Sequence, residues 1–403
     1  MNDAQFAELA AWITDAGLAG QNESTTLTGF CERAVAFGLP VARAVILADT
    51  LHPMYEGRAF RWNPDKETAV LTEYGRTEED LGRWVRSPFF HLEQTGETML
   101  RRRLTPESEG EFSIFPELRV AGMTDYIAIV SRFATEAVIG DMDGIYSSWA
   151  TDAAAGFSDA DITDICRLTP LLALTVKAAS LTRIAQTLVE TYLGRDAGRR
   201  VLEGRISRGV AEPIEAAIWF SDLRGYTRIS DRADPTEIIP LLNQYADAII
   251  SAIHVHGGDV LKLMGDGVLA IFRAEDRSRA CQAALAAAED APRRVVELNG
   301  RRTAAGMATT ELYLGLHVGE VFYGNIGSKE RLDFTIVGPA VNEVSRIASM
   351  CRSVDQPLLM SSAFASALDD QRGRLVSVGR YALRGVSRPQ ELYTVDWTAV
   401  TVE

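Results

Sequence analysis

From about residue 213 onward the chain alternates between strand-like and helix-like hydrophobic periods in an order that demands a sheet packed by helices. Glu215–Ser221 is an apolar strand. Asp234–Pro235 supplies an N-cap and first-turn pair, and the helix it starts carries Ile238, Leu242, Tyr245, Ile249 and Ile253 on one face. Gly257–Gly258 ends that helix. Asp259–Met264 and Val268–Phe272 then alternate on either side of Gly265–Asp266–Gly267, a hairpin signal. A helix over Arg277–Glu289 and a strand over Leu312–Val318 follow. The polar, Arg- and Ala-rich stretch Ala291–Thr310 reads as a loop, and no internal repeat is visible.

The first half is patterned differently. Residues 2–38 read as two amphipathic helices divided at Gly17, Gly20, Gln21 and Asn22. Val41–Ala48, Gly57–Trp62 and Thr68–Thr72 read as antiparallel strands, Arg76–Leu104 turns helical and charged, and Tyr126–Arg132 and Ile145–Trp149 resume strand character. From Asp159 to about Glu203 apolar residues recur every three or four positions, among them Ile162, Ile165, Leu168, Leu172, Val176, Ile184 and Leu193. We read this as one long connecting helix that could pair with a second copy as a short coiled coil, in preference to a bent pair of core helices.

At 403 residues the chain has room for two or three domains. The apolar runs Leu168–Val176 and Ala216–Phe220 fall short of the ~20 residues a membrane span needs. The N-terminus has no basic region of the kind that opens a secretion signal. Cys31, Cys166, Cys281 and Cys351 are widely spaced, which fits free thiols in a reducing compartment, so a cytoplasmic location is expected. A net charge of −14 argues against a nucleic-acid partner.

Two aspartates stand out by position. Asp222 follows a buried strand and precedes Leu223–Arg224–Gly225–Tyr226–Thr227; Asp266 sits at a hairpin tip between two glycines. Such carboxylates are accessible, and a pair of them can hold divalent cations. Gly225 would let backbone N–H groups come close to phosphate oxygens. Taken singly, either aspartate is more simply structural.

Together they resemble the class III nucleotide cyclases: Phe220–Thr227, then Lys262–Leu263–Met264–Gly265–Asp266–Gly267 some forty residues on. Gly315–Leu316–His317–Val318–Gly319 is similar to the family's strand before its dimerisation arm. Thr335 to Arg346 resembles the family's substrate and transition-state segment, and Leu383–Arg384–Gly385–Val386 with Pro389 and Tyr393 its last motif. The resemblance covers about residues 213–397. It implies an α+β, ferredoxin-like (βαββαβ) catalytic domain that converts a nucleoside triphosphate to a 3′,5′-cyclic monophosphate and pyrophosphate. By the same resemblance Asp222, the Leu223 carbonyl and Asp266 would bind two divalent ions, Mg²⁺ or Mn²⁺, which activate the attacking 3′-hydroxyl and hold the β- and γ-phosphates. The charge balance agrees, because a tetra-anionic nucleotide would otherwise be repelled by an acidic protein. Gly225, Tyr226 and Thr227 would lie against the phosphates, Asn342 would orient the ribose, Arg346 would stabilise charge on the α-phosphoryl group, and Arg384 would clamp the terminal phosphates. Arg384 stands where many members have Lys.

Lys262 and Thr335 fall at the family's two purine-contacting positions. Lys donates and the Thr hydroxyl can accept, which suits adenine and points to ATP as substrate. Family sites are composite, so the chain is expected to act as a homodimer with two equivalent sites. Residues 1–180 resemble a GAF-type sensor domain in order of elements, and imply an effector, small molecule or protein, acting through a helical linker over 181–212. Trp84, Phe89, Phe90, His91 and Tyr126 are candidate pocket residues, while Arg101–Arg103 reads as a solvated run. His91 as a haem ligand and His254 with His256 as a metal pair are not favoured, and Gly257–Gly258–Asp259 lacks the continuation of a diguanylate cyclase signature. The expected activity is that of a cytoplasmic adenylate cyclase. The rivals are a guanylate cyclase and a catalytically silent cyclase-fold module for dimerisation or ligand binding.

Overall fold

The computed structural model describes residues 1–65, 67–108, 110–134, 139–140, 142–386 and 388–396. Trp397, the last residue of the expected catalytic span, lies outside them. The chain divides into two compact units, Met1–Leu188 and Val189–Glu403.

The N-terminal unit contains α1 (Asp3–Leu18), α2 (Glu23–Ala36), β1 (Arg43–Asp49), β2 (Gly57–Trp62), β3 (Val70–Tyr74), α3 (Glu78–Val85), α4 (Pro88–Thr95), β4 (Met99–Arg103), α5 (Phe115–Val120), β5 (Asp125–Arg132) and β6 (Gly144–Thr151). α6 (Asp159–Leu193) follows. The six strands form one antiparallel sheet in the order β3-β2-β1-β6-β5-β4. One face packs against helices: Ala44, Ile46, Phe60 and Trp149 share a core with Leu9 and Ile13 of α1, Leu27 and Phe30 of α2, and Ile165, Leu168, Leu172 and Val176 of α6. The Arg101–Arg103 run is strand β4 and its side chains are engaged, which corrects the solvated reading. Arg101 pairs with the fully buried Asp125 at 2.8 Å, Arg102 with Glu111 at 2.8 Å, and Arg103 donates to the Ala155 carbonyl at 2.6 Å. A buried carboxylate is kept only with such partners.

The long helical register does not run unbroken to Glu203. It stops at Gly194, whose φ of 86° only glycine adopts freely and whose Cβ would lie 2.4 Å from the Val260 carbonyl. α7 (Arg195–Leu202) then docks on the C-terminal unit. Its anchor is the buried Asp196, which pairs with Arg199, Arg200 and Arg273 at 2.8 Å each and accepts from the Tyr323 hydroxyl at 3.0 Å. Burial alone would raise the Asp196 pKa, but the Arg273 contact, with Tyr323 and Arg200, holds it below the usual range.

The C-terminal unit continues with β7 (Ala211–Leu223), α8 (Tyr226–Ser230), α9 (Pro235–Val255), β8 (Asp259–Met264), β9 (Gly267–Phe272), α10 (Arg277–Ala304), β10 (Leu312–Gly327), β11 (Leu332–Val337), α11 (Pro339–Val354), β12 (Leu358–Ser361), α12 (Ser362–Ser366), β13 (Leu375–Tyr381) and β14 (Gln390–Val395). Its sheet runs β13-β14-β12-β10-β7-β9-β8, with β11 hairpinned onto β10. The segment β7–α9–β8–β9–α10–β10, with strand order β10-β7-β9-β8, is the expected ferredoxin-like βαββαβ unit. Odd-numbered β7 residues Ala217 and Trp219 face α9 and α10; even-numbered Ala216 and Ile218 face the side that carries α7 and α11.

The stretch read as a loop, Ala291–Thr310, is helical as far as Ala304. Ala284, Ala288, Ala291, Val295, Leu298 and Arg302 are all buried, a four-three-four-three-four spacing that continues the core face straight past Pro292. α6 and α9 are long and apolar enough to cross a membrane by length and composition. α9, however, places Leu241, Tyr245, Ile249 and Ile253 in the core of its unit.

α11 lies unusually close to β10. A Cβ on Gly315 would come within 2.7 Å of the Ala348 nitrogen and 2.8 Å of the Val344 carbonyl. Beside it His317 is buried, with Nδ1 2.8 Å from Ser361 Oγ. Burial, helped by the Arg277 charge, pushes its pKa down to about 4. The folded chain therefore refuses a proton that the unfolded chain accepts below about 6.5. Stability should be intact above pH 6.5 and lost progressively as pH falls toward 4, by about 3 kcal/mol from this residue. Urea unfolding of the parent and of His317→Gln across that range should show a shallower pH slope in the variant.

Candidate active site

Asp222 is the penultimate residue of β7 and Asp266 lies between β8 and β9. β9 pairs with β7 from Val268–Ser221 to Phe272–Ala217, so the hairpin tip ends beside the end of β7. Gly265 turns the chain with φ of 67°, and Gly267 sits so close that a Cβ would lie 3.0 Å from the Ser221 carbonyl. The two carboxyl groups share a hydrogen bond, and Asp266 Oδ2 also accepts the Leu223 N–H at 3.2 Å. Desolvation at the strand end, that shared hydrogen bond and the Asp266 charge push Asp222 up to about 7. Two carboxyl groups held this way call for a proton or a cation between them.

The donor set fits divalent ions of the hard, oxygen-preferring kind: two carboxylates beside the Leu223 backbone. Among the described residues no group of three or more His, Cys, Asp and Glu side chains forms a metal cluster. The remaining ligands would come from substrate and water. Gly225, with φ of 71°, opens the short helix α8 directly after Asp222, and exposed Thr227 and half-buried Tyr226 form its first turn. Tyr226 also packs against the core under α9.

The purine-contacting candidates converge as well. Lys262 Nζ on β8 donates to Asp333 Oδ2 on β11, two residues and one face from half-buried Thr335. Asp333 was not singled out in the sequence. Its signal would have been the two-residue strand period that puts it beside Thr335. Asn342 and Arg346, four apart on α11, are both exposed on one face of that helix. Arg384 is exposed in the turn between β13 and β14, just after buried Leu383. Among the described residues the side chains of Asn342, Arg346 and Arg384 have no hydrogen-bond or ion-pair partner. Around these positions large apolar side chains face outward: Leu263 is 55% exposed, Phe322 48% and Val337 42%.

A ferredoxin-like sheet with paired aspartates at the β7 end and a Lys262–Asp333 pair joining β8 to β11 is the frame expected of a nucleotide cyclase domain. Residues 211–396 match the family described as Adenylate and Guanylate cyclase catalytic domain. Adenylate cyclase 1 of Rhizobium meliloti (strain 1021) is 28% identical over 210 residues, 51% of this chain and 31% of that protein. An uncharacterized protein of Mycobacterium tuberculosis (strain CDC 1551 / Oshkosh) is 32% identical over 209 residues, 51% of this chain and 36% of that one. The chain thus spans about a third of the length of these relatives. Among solved structures, the adenylyl cyclase CyaB from P. aeruginosa is 26% identical with a TM-score of 0.43, over 46% of this chain and 95% of that one. The guanylyl cyclase Cya2 is 30% identical with a TM-score of 0.41, over 46% and 93%. Through residues 211–396 the chain belongs to the class III adenylate and guanylate cyclase family.

Asp266→Asn should separate cation binding from folding. At pH 8 without divalent ions the variant should be as stable as the parent or more so, by about 1 kcal/mol, because a like charge is removed. Adding Mn²⁺ should raise the unfolding midpoint of the parent and leave that of the variant unchanged; scanning calorimetry reads both.

Proposed function

We propose that this chain is an adenylate cyclase, converting ATP to 3′,5′-cyclic AMP and pyrophosphate at composite sites in a homodimer. The observation that carries the choice of base is the Lys262–Asp333 pair beside Thr335. Lys262 donates to the ring N1 of adenine, and the Thr335 hydroxyl accepts from its amino group. Asp333 holds the ammonium in place. Its carboxylate is also the feature that favours the second reading, GTP, since an acceptor-only group suits the N1–H and amino group of guanine.

Two divalent ions at Asp222, the Leu223 carbonyl and Asp266 would supply Lewis acidity at the 3′-hydroxyl and neutralise the triphosphate. Arg346 offers a guanidinium to the charge that develops on the α-phosphoryl oxygens, and Asn342, on the same helix face, fixes the ribose. Arg384 binds terminal phosphate oxygens as a fork. That these three side chains carry no partner among the described residues supports their use on a ligand. The exposed Leu263, Phe322 and Val337 support burial against a second copy, as a composite site requires.

The N-terminal unit is read as a GAF-like regulatory domain responding to an effector. Its six-stranded order, with α1, α2 and α6 on one face and α3, α4 and α5 over the other, supports that reading. The four free cysteines support a cytoplasmic setting.

Purified protein with Mn²⁺ and ATP should yield cyclic AMP and pyrophosphate; absence of product from ATP and GTP alike, with the protein dimeric, leaves the silent-module reading. Asp222→Ala and Arg346→Ala should each lose about 10²–10³-fold in kcat. Mixed in equal amounts under subunit exchange, the two dead variants should recover about a quarter of parental activity, because half the dimers then hold one intact site. For base choice, Lys262→Glu should lower the ATP-over-GTP ratio in kcat/KM at least about tenfold. A ratio that stays put under this change refutes the adenine reading.

A further inference from the structure

The N-terminal sheet has a second face, where a smaller apolar cluster that includes Leu92, Phe115, Leu118 and Tyr126 borders an open space. Along β1 the side chains alternate: Ala44, Ile46 and Ala48 enter the core, while Arg43, Val45, Leu47 and Asp49 face the other way. Residues of α3, α4 and α5 stand over that side and enclose a cavity of about 810 Å³. This is within the size that holds a drug-sized molecule. Of the pocket candidates, Trp84, Phe89 and Tyr126 line it. Phe90 packs edge-on against Trp84 and His91 against Phe112.

One end of the cavity is cationic. Arg43 is buried, with Glu117 as its partner at 2.8 Å. Arg61 of β2 is opposite Val45 in the register, a diagonal step from Arg43 on the same face. Its Nε is buried and has no hydrogen-bond partner among the described residues. An N–H donor left so is costly, and a guanidinium is built to give two parallel bonds to one anionic group. At the same level Ser148, opposite Val45 on β6, hydrogen-bonds the Tyr126 side chain, adding hydroxyls to the cluster. The far end is of opposite sign: Asp143, Glu93 and Asp49 all act on Tyr146. Between them Leu47, Ala59, Trp84 and Phe89 give apolar and aromatic wall.

We propose that this cavity binds a small organic anion: a carboxylate, sulfonate or phosphate headgroup seated on Arg61 and Arg43, with an aromatic or apolar body against Trp84 and Phe89. An uncharged ligand would fill the same space and leave the Arg61 donor unanswered, so the headgroup charge sets the selectivity. The inference deepens the effector reading of the N-terminal unit and depends on it only for a regulatory consequence. Binding is therefore read without turnover, and its outcome is distinct from any effect on the cyclase half.

The test uses the full chain and two dyes with one aromatic body, 1-anilinonaphthalene-8-sulfonate and its uncharged analogue N-phenyl-1-naphthylamine, titrated by fluorescence. The sulfonate should saturate one site per chain and bind at least tenfold more tightly than the analogue. Arg61→Gln should cut sulfonate affinity at least tenfold while leaving the analogue within twofold, and Arg61→Lys should retain most of it. On the unmutated chain, naphthalene-1-sulfonate should displace the dye at concentrations where 1-methylnaphthalene does not. Equal affinity for the two dyes, displacement by both competitors alike, or an Arg61→Gln effect that is absent or equal for both dyes overturns the proposal.

Discussion

Everything in the catalytic half is arranged around two carboxylates brought to one place. The antiparallel pairing of β7 with β9, and the tight turn at Gly265, bring Asp222 and Asp266 within hydrogen-bond reach of each other. Like charges at that distance repel, and the chain offers them a shared hydrogen bond and one backbone N–H in compensation. A fold that places them so stores a preference for a cation, and the acidic character of the chain ceases to be an obstacle to a polyphosphate there.

The other parts of the candidate site are held by separate devices. α11, which presents Asn342 and Arg346, is set at a fixed height because Gly315 brings β10 against its backbone. α7 is pinned at its first turn by Asp196, whose partners come from the end of β9 and from the far half of β10. The Lys262–Asp333 pair ties β8 to the β10–β11 hairpin. Each constraint joins elements distant in sequence, so the site is a property of the assembled sheet.

Much of this was legible beforehand where a local rule governs. The Gly265–Asp266–Gly267 turn and the Asp234–Pro235 helix start are set by backbone chemistry of a few residues, and both appear where the pattern puts them. What escaped depends on long-range packing. α10 runs past Pro292 because Val295, Leu298 and Arg302 extend its buried face, which local composition hides behind arginines. β4 reads as a charged run because its arginines are neutralised by Asp125 and Glu111 from elsewhere. Asp333 gains meaning only once β8 lies beside β11.

The alternation along β1 has a wider consequence. On β1, residues of the core shared with α1, α2 and α6 and residues that line the cavity occupy opposite faces of the same strand, one position apart. A substitution at Val45 changes what the cavity can hold while Ala44, Ile46 and Ala48 go on supporting the core behind the sheet. The size and polarity of the cavity can thus change through a single step on this strand while the core behind it stays as it is, whereas the backbone contacts at Gly267 and Gly315 in the other unit leave far less freedom.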